Sequence, residues 1–178
     1  MDIREQVLDS LPEIAVVALT GLVFFPLLVY ITAAHVVDYR VLKRIHVKNR
    51  RYGLNISCGN TDGGGVNADV VRRDVPNFTL VNDIYNLPFR NGQFQTALCS
   101  HTMEHVEDPD RFYGELKRIS SEVVLLVPPV WDIMGLLTFR EHKWQFLTMH
   151  TKHVNSLPRK FRLPYWGIQK RFGQKLRC

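Results

Sequence analysis

The residues best suited to chemistry lie between positions 57 and 105. Ser57, Cys58 and Gly59, then Asp69, then Asp83, then Ser100 and His101 stand within or just after the end of a short apolar run: YGLNIS, VNADVV, FTLV and TALC. Strands that end in polar residues on one side make the carboxyl edge of an open α/β sheet, and such sheets bind ligands along that edge. An aspartate there offers two carboxylate oxygens to hydroxyl or amino donors, and a histidine can take a proton near neutral pH. Gly59, with no Cβ, lets a backbone come close to a ligand.

The elements that must hold these groups can be read around them. Leu87-Pro88-Phe89 and Asn91-Gly92 make turns between the third and fourth runs. Asp108-Pro109 reads as an N-cap followed by a helix-opening proline, and the helix should run from 109 to about 120 with Phe112, Leu116 and Ile119 on one face. The β-branched run 123–127 then ends at Pro128-Pro129 as a fifth strand. Short strands with polar or glycine-rich loops and a helical crossover predict an α/β fold with an open sheet. With 178 residues, 46% hydrophobic and 22% charged, the chain has material for one globular domain. Its three cysteines, Cys58, Cys99 and Cys178, are far apart and include no C-x-x-C pair, which argues against a disulfide framework or a thiolate metal site and fits a reducing compartment.

His101-Thr102-Met103-Glu104-His105 has the H-x-x-E-H pattern of the inverted zinc metallopeptidases. That chemistry requires both histidines on one helix face, with a carboxylate base beside them. The pattern follows a strand directly and precedes Asp108-Pro109. Too little helix fits there, so no metal site is expected, and His105 is read as a structural histidine under the sheet end.

Taken together, residues 54–105 resemble a class I S-adenosylmethionine-dependent methyltransferase of the type 11 group. LNISCGNT stands where that family has its glycine-rich first motif, VNAD where its second strand ends in an acid, NDIYNLPFRNGQF where an acid precedes a Leu-Pro-Phe turn, and CSHTMEHVEDP at its fourth-strand segment. The resemblance spans about 52–129 and implies a truncated Rossmann-like methyltransferase sheet with S-adenosyl-L-methionine as cofactor. It implies that Ser57, Gly59 and Ser100 border the cofactor, that Asp69 accepts from the ribose hydroxyls, and that Asp83 accepts from the adenine amino group with Ile84 and Leu87 lining the ring. His101, nearest the expected methyl position, is the candidate catalytic base. The acceptor is expected to be a small or lipid-linked molecule. Four positions depart from the family pattern: Asn55 and Gln95 replace acids, and Ser57 and Thr61 replace glycines. Asp69 also follows Gly59 by ten residues, where a dinucleotide-type unit leaves about twenty with a helix between. TDGGG cannot form that helix, so either the first crossover is a loop or the site has decayed into a non-catalytic binding or scaffold module.

Residues 14–34 run 21 positions without a charge, roughly 32 Å of helix, enough to cross a bilayer. A transmembrane helix over 14–37 is expected, after a short extracytoplasmic N-terminus at 1–13; the acidic lead segment is the wrong charge for a signal peptide. A buried core helix is the other reading of the run. Over 38–51 the basic residues Arg40, Lys43, Arg44, Lys48, Arg50 and Arg51 face Asp38 alone, a juxtamembrane linker that places the C-terminal bulk in the cytoplasm. The S-adenosylmethionine-binding α/β domain is then expected over 52–130. From 142 to the end there is no acidic residue, and Phe161, Tyr165, Trp166 and Phe172 are interleaved with cations. The segment 131–178 therefore suits a membrane interface, which is favoured over single-stranded nucleic acid. The formal charge of +6 is accounted for without nucleic acid as a partner.

Overall fold

The computed structural model describes residues 3–47, 51–138 and 140–172. A long helix opens the chain: α1 (Ile3–His35) passes without a break into a π-helical turn (Val36–Leu42) and then α2 (Lys43–Val47). The segment expected to be a linker is thus helical through Val47. The α/β unit follows, with β1 (Leu54–Ile56), β2 (Val66–Asp69), β3 (Phe78–Leu80), β4 (Phe94–Ser100), α3 (Pro109–Ile119) and β5 (Ser120–Leu126). After it come α4 (Met134–Leu137), β6 (Trp144–Phe146), β7 (Lys152–Val154), β8 (Lys160–Arg162) and α5 (Trp166–Phe172).

Six strands form one sheet in the order β3-β2-β1-β4-β5-β7, parallel except for β7, which runs antiparallel to β5 with Leu125 opposite His153. β6 and β8 pair separately as an antiparallel ribbon. The strand order reverses between β1 and β4, which makes the crevice beyond Ile56 and Ser100 the topological switch point of the sheet. The α/β fold and the helix after Asp108 are as expected. Asp108 Oδ1 accepts from Arg111 N at 3.0 Å as an N-cap, and Phe112, Leu116 and Ile119 are all fully buried.

Alternation along β4 and β5 divides the core into two layers, with β1 contributing to the first. Leu54, Ile56, Ala97, Cys99, Val123 and Leu125 pack with Phe112, Leu116 and Ile119 of α3. Leu98, Val124 and Leu126 project to the other face, against Val47 and Tyr52. The end of the N-terminal helix therefore caps one side of the sheet, and Tyr52 fastens it by donating its hydroxyl to His46 O at 2.7 Å.

The first crossover is a nine-residue loop, 57–65, with no helix. Parallel neighbours usually need a dozen or more residues to return. Nine suffice because the loop lies flat against the strand bases: a Cβ on Gly65 would stand 2.3 Å from Tyr52 O, and one on Gly63 would stand 2.5 Å from Asn55 Cβ. Asn55 Nδ2 donates to Thr61 O at 2.8 Å and to Asn67 Oδ1 at 3.1 Å, while Asn67 Oδ1 also accepts from Gly63 N at 2.9 Å. The Asn55 amide, which stands where the resemblance expects an acid, and the Asn67 amide are thus the fasteners of the short loop.

The N-terminal helix has one region long and apolar enough to cross a membrane, Ala18–Val47, with a mean hydropathy of 1.9 over its best window, none of which is buried by the rest of the chain. Leu22 and Phe25 are about as exposed as side chains on an isolated helix, at 72% and 68%. From Tyr30 onward one face docks on the α/β unit: Tyr30 donates to Trp131 O at 3.2 Å, and His35 Nδ1 lies 3.0 Å from Asp132 Oδ2.

Candidate functional site

Two non-glycine residues with left-handed backbone flank the switch point: Ser57 at φ 54° after β1 and His101 at φ 49° after β4. Such conformations carry a local cost in residues with a Cβ and concentrate where side chains are aimed for a purpose. Gly59 follows at φ 53°, and a Cβ there would meet nothing within 4 Å, so the space over its backbone is open.

Asp69, at the end of β2, is turned toward this opening. Its Oδ2 accepts from Gly59 N at 2.9 Å and from Arg73 Nε at 3.4 Å, and its Oδ1 accepts from Val71 N at 3.1 Å. The carboxylate thus holds the β1 loop to the β2 edge, with the long Arg73 contact its weakest bond. Asp83 lies past the end of β3, exposed, with Oδ1 accepting from Tyr85 N at 2.8 Å in an Asx turn. Ile84 and Leu87 are buried at 8% and 3% exposure in the core layer under α3. More exposed apolar surface near the ends of β2 and β3 comes from Val71 and Leu80, at 44% and 50%, which sequence reasoning did not single out.

His101 makes a contact that only the fold supplies. Its Nε2 lies 3.2 Å from Asp38 Oδ2, and its Nδ1 lies 3.2 Å from Ser100 Oγ. Asp38 is fully buried and also accepts from Thr151 Oγ1 at 2.5 Å; Tyr39 meets the His101 ring edge-on with centroids 5.1 Å apart. The π-helical turn makes this possible, because its wider winding, closed by Lys43 N donating to Asp38 O, turns Asp38 toward the sheet end. The sequence signal for Asp38 was its isolation as the one acid in a basic stretch.

The thiols at the site are buried and held in their protonated form. Burial, reinforced by the Asp69 charge, pushes the Cys58 thiol up to about 11, and burial with Glu104 nearby raises Cys99 further.

Glu104, His105 and His142 form a second cluster, with one potential ligand atom from each lying within 4.8 Å of the others. His101 is not part of it. The H-x-x-E-H pattern is therefore split, its first histidine going to Asp38 and its last two residues to a histidine 37 positions on. Burial lowers the tendency of His142 to take a proton, as does His105, while Glu104 works the other way.

Several of the cations in the basic C-terminal segment are spent inside the fold. Lys143 and Arg162 pair with Glu107, Lys160 pairs with Asp110, and Lys160 and Arg162 both lie over the Trp144 ring.

The residues present fit the nucleoside half of S-adenosylmethionine in kind: an open glycine backbone, an acid at the β2 end and another past β3, all along one sheet edge. What is missing is a helix after β1 whose N-terminus would face an anionic group.

Residues 39–124 match the family described as methyltransferase domain. Among solved structures, a Thermotoga maritima S-adenosylmethionine-dependent methyltransferase, described as a possible histamine N-methyltransferase, is similar with a TM-score of 0.49, 13% identity and coverage of 74% of each chain. The YcgJ protein of Bacillus subtilis is similar with a TM-score of 0.40, 15% identity and coverage of 55% of this chain and 54% of that one. An Aquifex aeolicus S-adenosylmethionine-dependent methyltransferase gives a TM-score of 0.35, 13% identity and coverage of 51% and 63%. This chain covers 55%, 37% and 54% of the first three solved structures it matches, roughly half their length or less. No protein of curated function matches it in sequence. The domain implies S-adenosylmethionine as cofactor and supports methylation as its general chemistry. Residues 39–124, just under half of the chain, are thus similar to a methyltransferase domain, carried on a truncated α/β sheet whose first crossover is reduced to a loop.

Proposed function

We propose that the chain transfers a methyl group from S-adenosylmethionine to a nucleophile on a small or lipid-associated acceptor at the cytoplasmic face of a membrane. When bound, the cofactor supplies a sulfonium-activated methyl group, so the protein's part is to align the nucleophile and keep water out. Gly59 and Ser57 would border the cofactor, Asp69 would take its ribose hydroxyls in place of the long Arg73 contact, and Asp83 would face its base. Ser100 would border the site on the β4 side. The burial of Ile84 and Leu87 gives them a supporting role beneath the ring. His101 is the proposed base. Asp38 holds the Nε2 side of its ring, which leaves Nδ1, now shared with Ser100 Oγ, to receive a proton.

The observation that carries the membrane part of this reading is the ending of the apolar helix on the site itself. Asp38, one residue past the expected span, is bound to His101. An acceptor held in a bilayer around that helix would meet the sheet edge at the proposed base. Exposed Leu137, Leu147 and Met149, on segments following the Tyr30–Trp131 contact, add apolar surface suited to a lipid boundary.

Calorimetric titration of S-adenosylmethionine into the full chain in detergent micelles, beside Asp69→Ala, tests the reading. Micromolar binding that the variant loses supports it, and methyl incorporation from labelled cofactor into a lipid fraction would identify the acceptor class. The second reading, a membrane-tethered binding or scaffold module, is favoured by the engagement of Asp69 with Gly59, Val71 and Arg73. It predicts no heat in either titration.

A further inference from the structure

The cluster left unexplained by methyl transfer joins the loop after β4 to the segment that leads into β6. Lys143 N and Trp144 N both donate to Glu104 O, at 2.7 and 3.1 Å, which clamps the two segments face to face. Between them lie polar atoms with no partner. Glu104 is 1% exposed, and its Oε2 is buried without a hydrogen bond; the same is true of His142 Nδ1 and Gln145 Oε1.

The protonation of His105 follows from its neighbour. Its Nδ1 lies 3.0 Å from Glu141 O, a carbonyl that can only accept, so Nδ1 carries the hydrogen. In the neutral ring Nε2 is then a lone pair, and it stands 3.8 Å from Glu104 Oε1, too far for a hydrogen bond. The His142 ring lies edge-on to that of His105, with centroids 4.7 Å apart. The buried Glu104 oxygen, the His105 Nε2 lone pair and the unpartnered His142 Nδ1 thus gather in one half-buried space, where polar atoms without partners are costly unless a cation lies between them.

We propose that Glu104, His105 and His142 bind a divalent transition metal, zinc by preference, with Gln145 Oε1 as a fourth oxygen. Two imidazoles and a carboxylate form a zinc donor set, and a histidine whose other nitrogen donates to a backbone carbonyl is oriented as metal ligands usually are. Gln145 is suited to its part because its Nε2 donates to Phe146 O at 3.2 Å, which directs the oxygen away. His142 Nδ1 and Gln145 Oε1 share the space that Gly135 leaves empty: a Cβ there would stand 3.4 and 3.5 Å from them. Tetrahedral zinc sets its ligand atoms roughly 3.3 Å apart. The present spread of up to 4.8 Å must therefore contract by side-chain rotation as the ion enters. The ion would pin the β4 loop, which begins at His101, to the C-terminal segment. The proposal does not depend on cofactor binding or on turnover.

The test is a titration of zinc chloride into the full chain in detergent micelles against a chromophoric chelator, with no S-adenosylmethionine present. One zinc per chain is expected. Glu104→Gln and His142→Ala should each weaken binding by about 100-fold or more, since even the loss of a supporting group costs 10- to 100-fold. His150→Ala, outside the cluster, should bind as the parent does. Cobalt in place of zinc should give the visible bands of a four- or five-coordinate ion, which a surface-bound ion lacks. The proposal is overturned if the parent chain takes up no stoichiometric zinc, or if the two variants bind it unchanged. Because the first of these outcomes needs no variant, loss of folding in a variant cannot shield the idea.

Discussion

Replacing Asp38 by alanine should loosen the N-terminal helix from the sheet. The carboxylate is fully buried, with His101 Nε2 at 3.2 Å and Thr151 Oγ1 at 2.5 Å as its side-chain partners. A hydrogen bond to a charged group contributes about 1.5–3 kcal/mol, and both donors would be left buried without an acceptor, so the expected loss is roughly 3–5 kcal/mol. At about 2–4 °C per kcal/mol for a chain of this size, the melting temperature should fall by about 10 °C. Asp38→Asn keeps one acceptor oxygen but sets an amide against the other donor, so about half that loss is expected. The assay is thermal unfolding of the full chain in micelles, followed by far-ultraviolet circular dichroism, for Asp38→Ala, His101→Ala and the double variant. Residues that share a buried bond should show a coupling energy well above 0.5 kcal/mol, roughly the scatter expected of independent sites. A shift below about 2 °C for Asp38→Ala, or additive single effects, would refute the claim that this pair joins the helix to the site.

Other expectations follow from the same geometry. Gly65→Ala forces a Cβ against two backbone carbonyls and should destabilise by about 1–3 kcal/mol in urea denaturation; Gly59→Ala meets no atom but holds a left-handed φ, so about 1 kcal/mol is expected, with a larger loss of cofactor affinity. Leu116→Ala, in the fully buried layer under the sheet, should cost about 2–5 kcal/mol in the same assay. Bonding to Arg118, and then to Leu87 N, holds the Glu115 carboxyl below its ordinary 4.5. Its contribution is complete above that unfolded value and is lost as pH falls through the lower folded value, so Glu115→Gln should flatten the acid limb of a stability profile below about pH 4.5. Cys58, raised to about 11, should resist iodoacetamide at pH 8 in the folded chain and react on denaturation; rapid labelling in the folded state would contradict its burial.

What the sequence decided by itself is the part governed by local periodicity and by the order of elements. Phe112, Leu116 and Ile119 recur at helical spacing, and Asp108-Pro109 just before them supplies an N-cap and a helix-opening proline, so α3 and the strands around it could be read directly. Asp69, Asp83 and His101 could be assigned to one sheet edge because each stands within or just after the end of an apolar run. β7 was missed because Lys-His-Val is three residues with no apolar pattern, and its pairing with β5 comes from position alone. That the first crossover holds no helix could be read from its three glycines; how nine residues close it was decided by the packing of Gly63 and Gly65 against Asn55 and Tyr52. Asp38 on His101, and His142 across from Glu104, join residues 63 and 38 positions apart, and no period in a sequence encodes a contact made by two elements meeting in space. Local pattern chose the elements, while the docking of the helix end and the C-terminal segment on the sheet decided which polar side chains face one another.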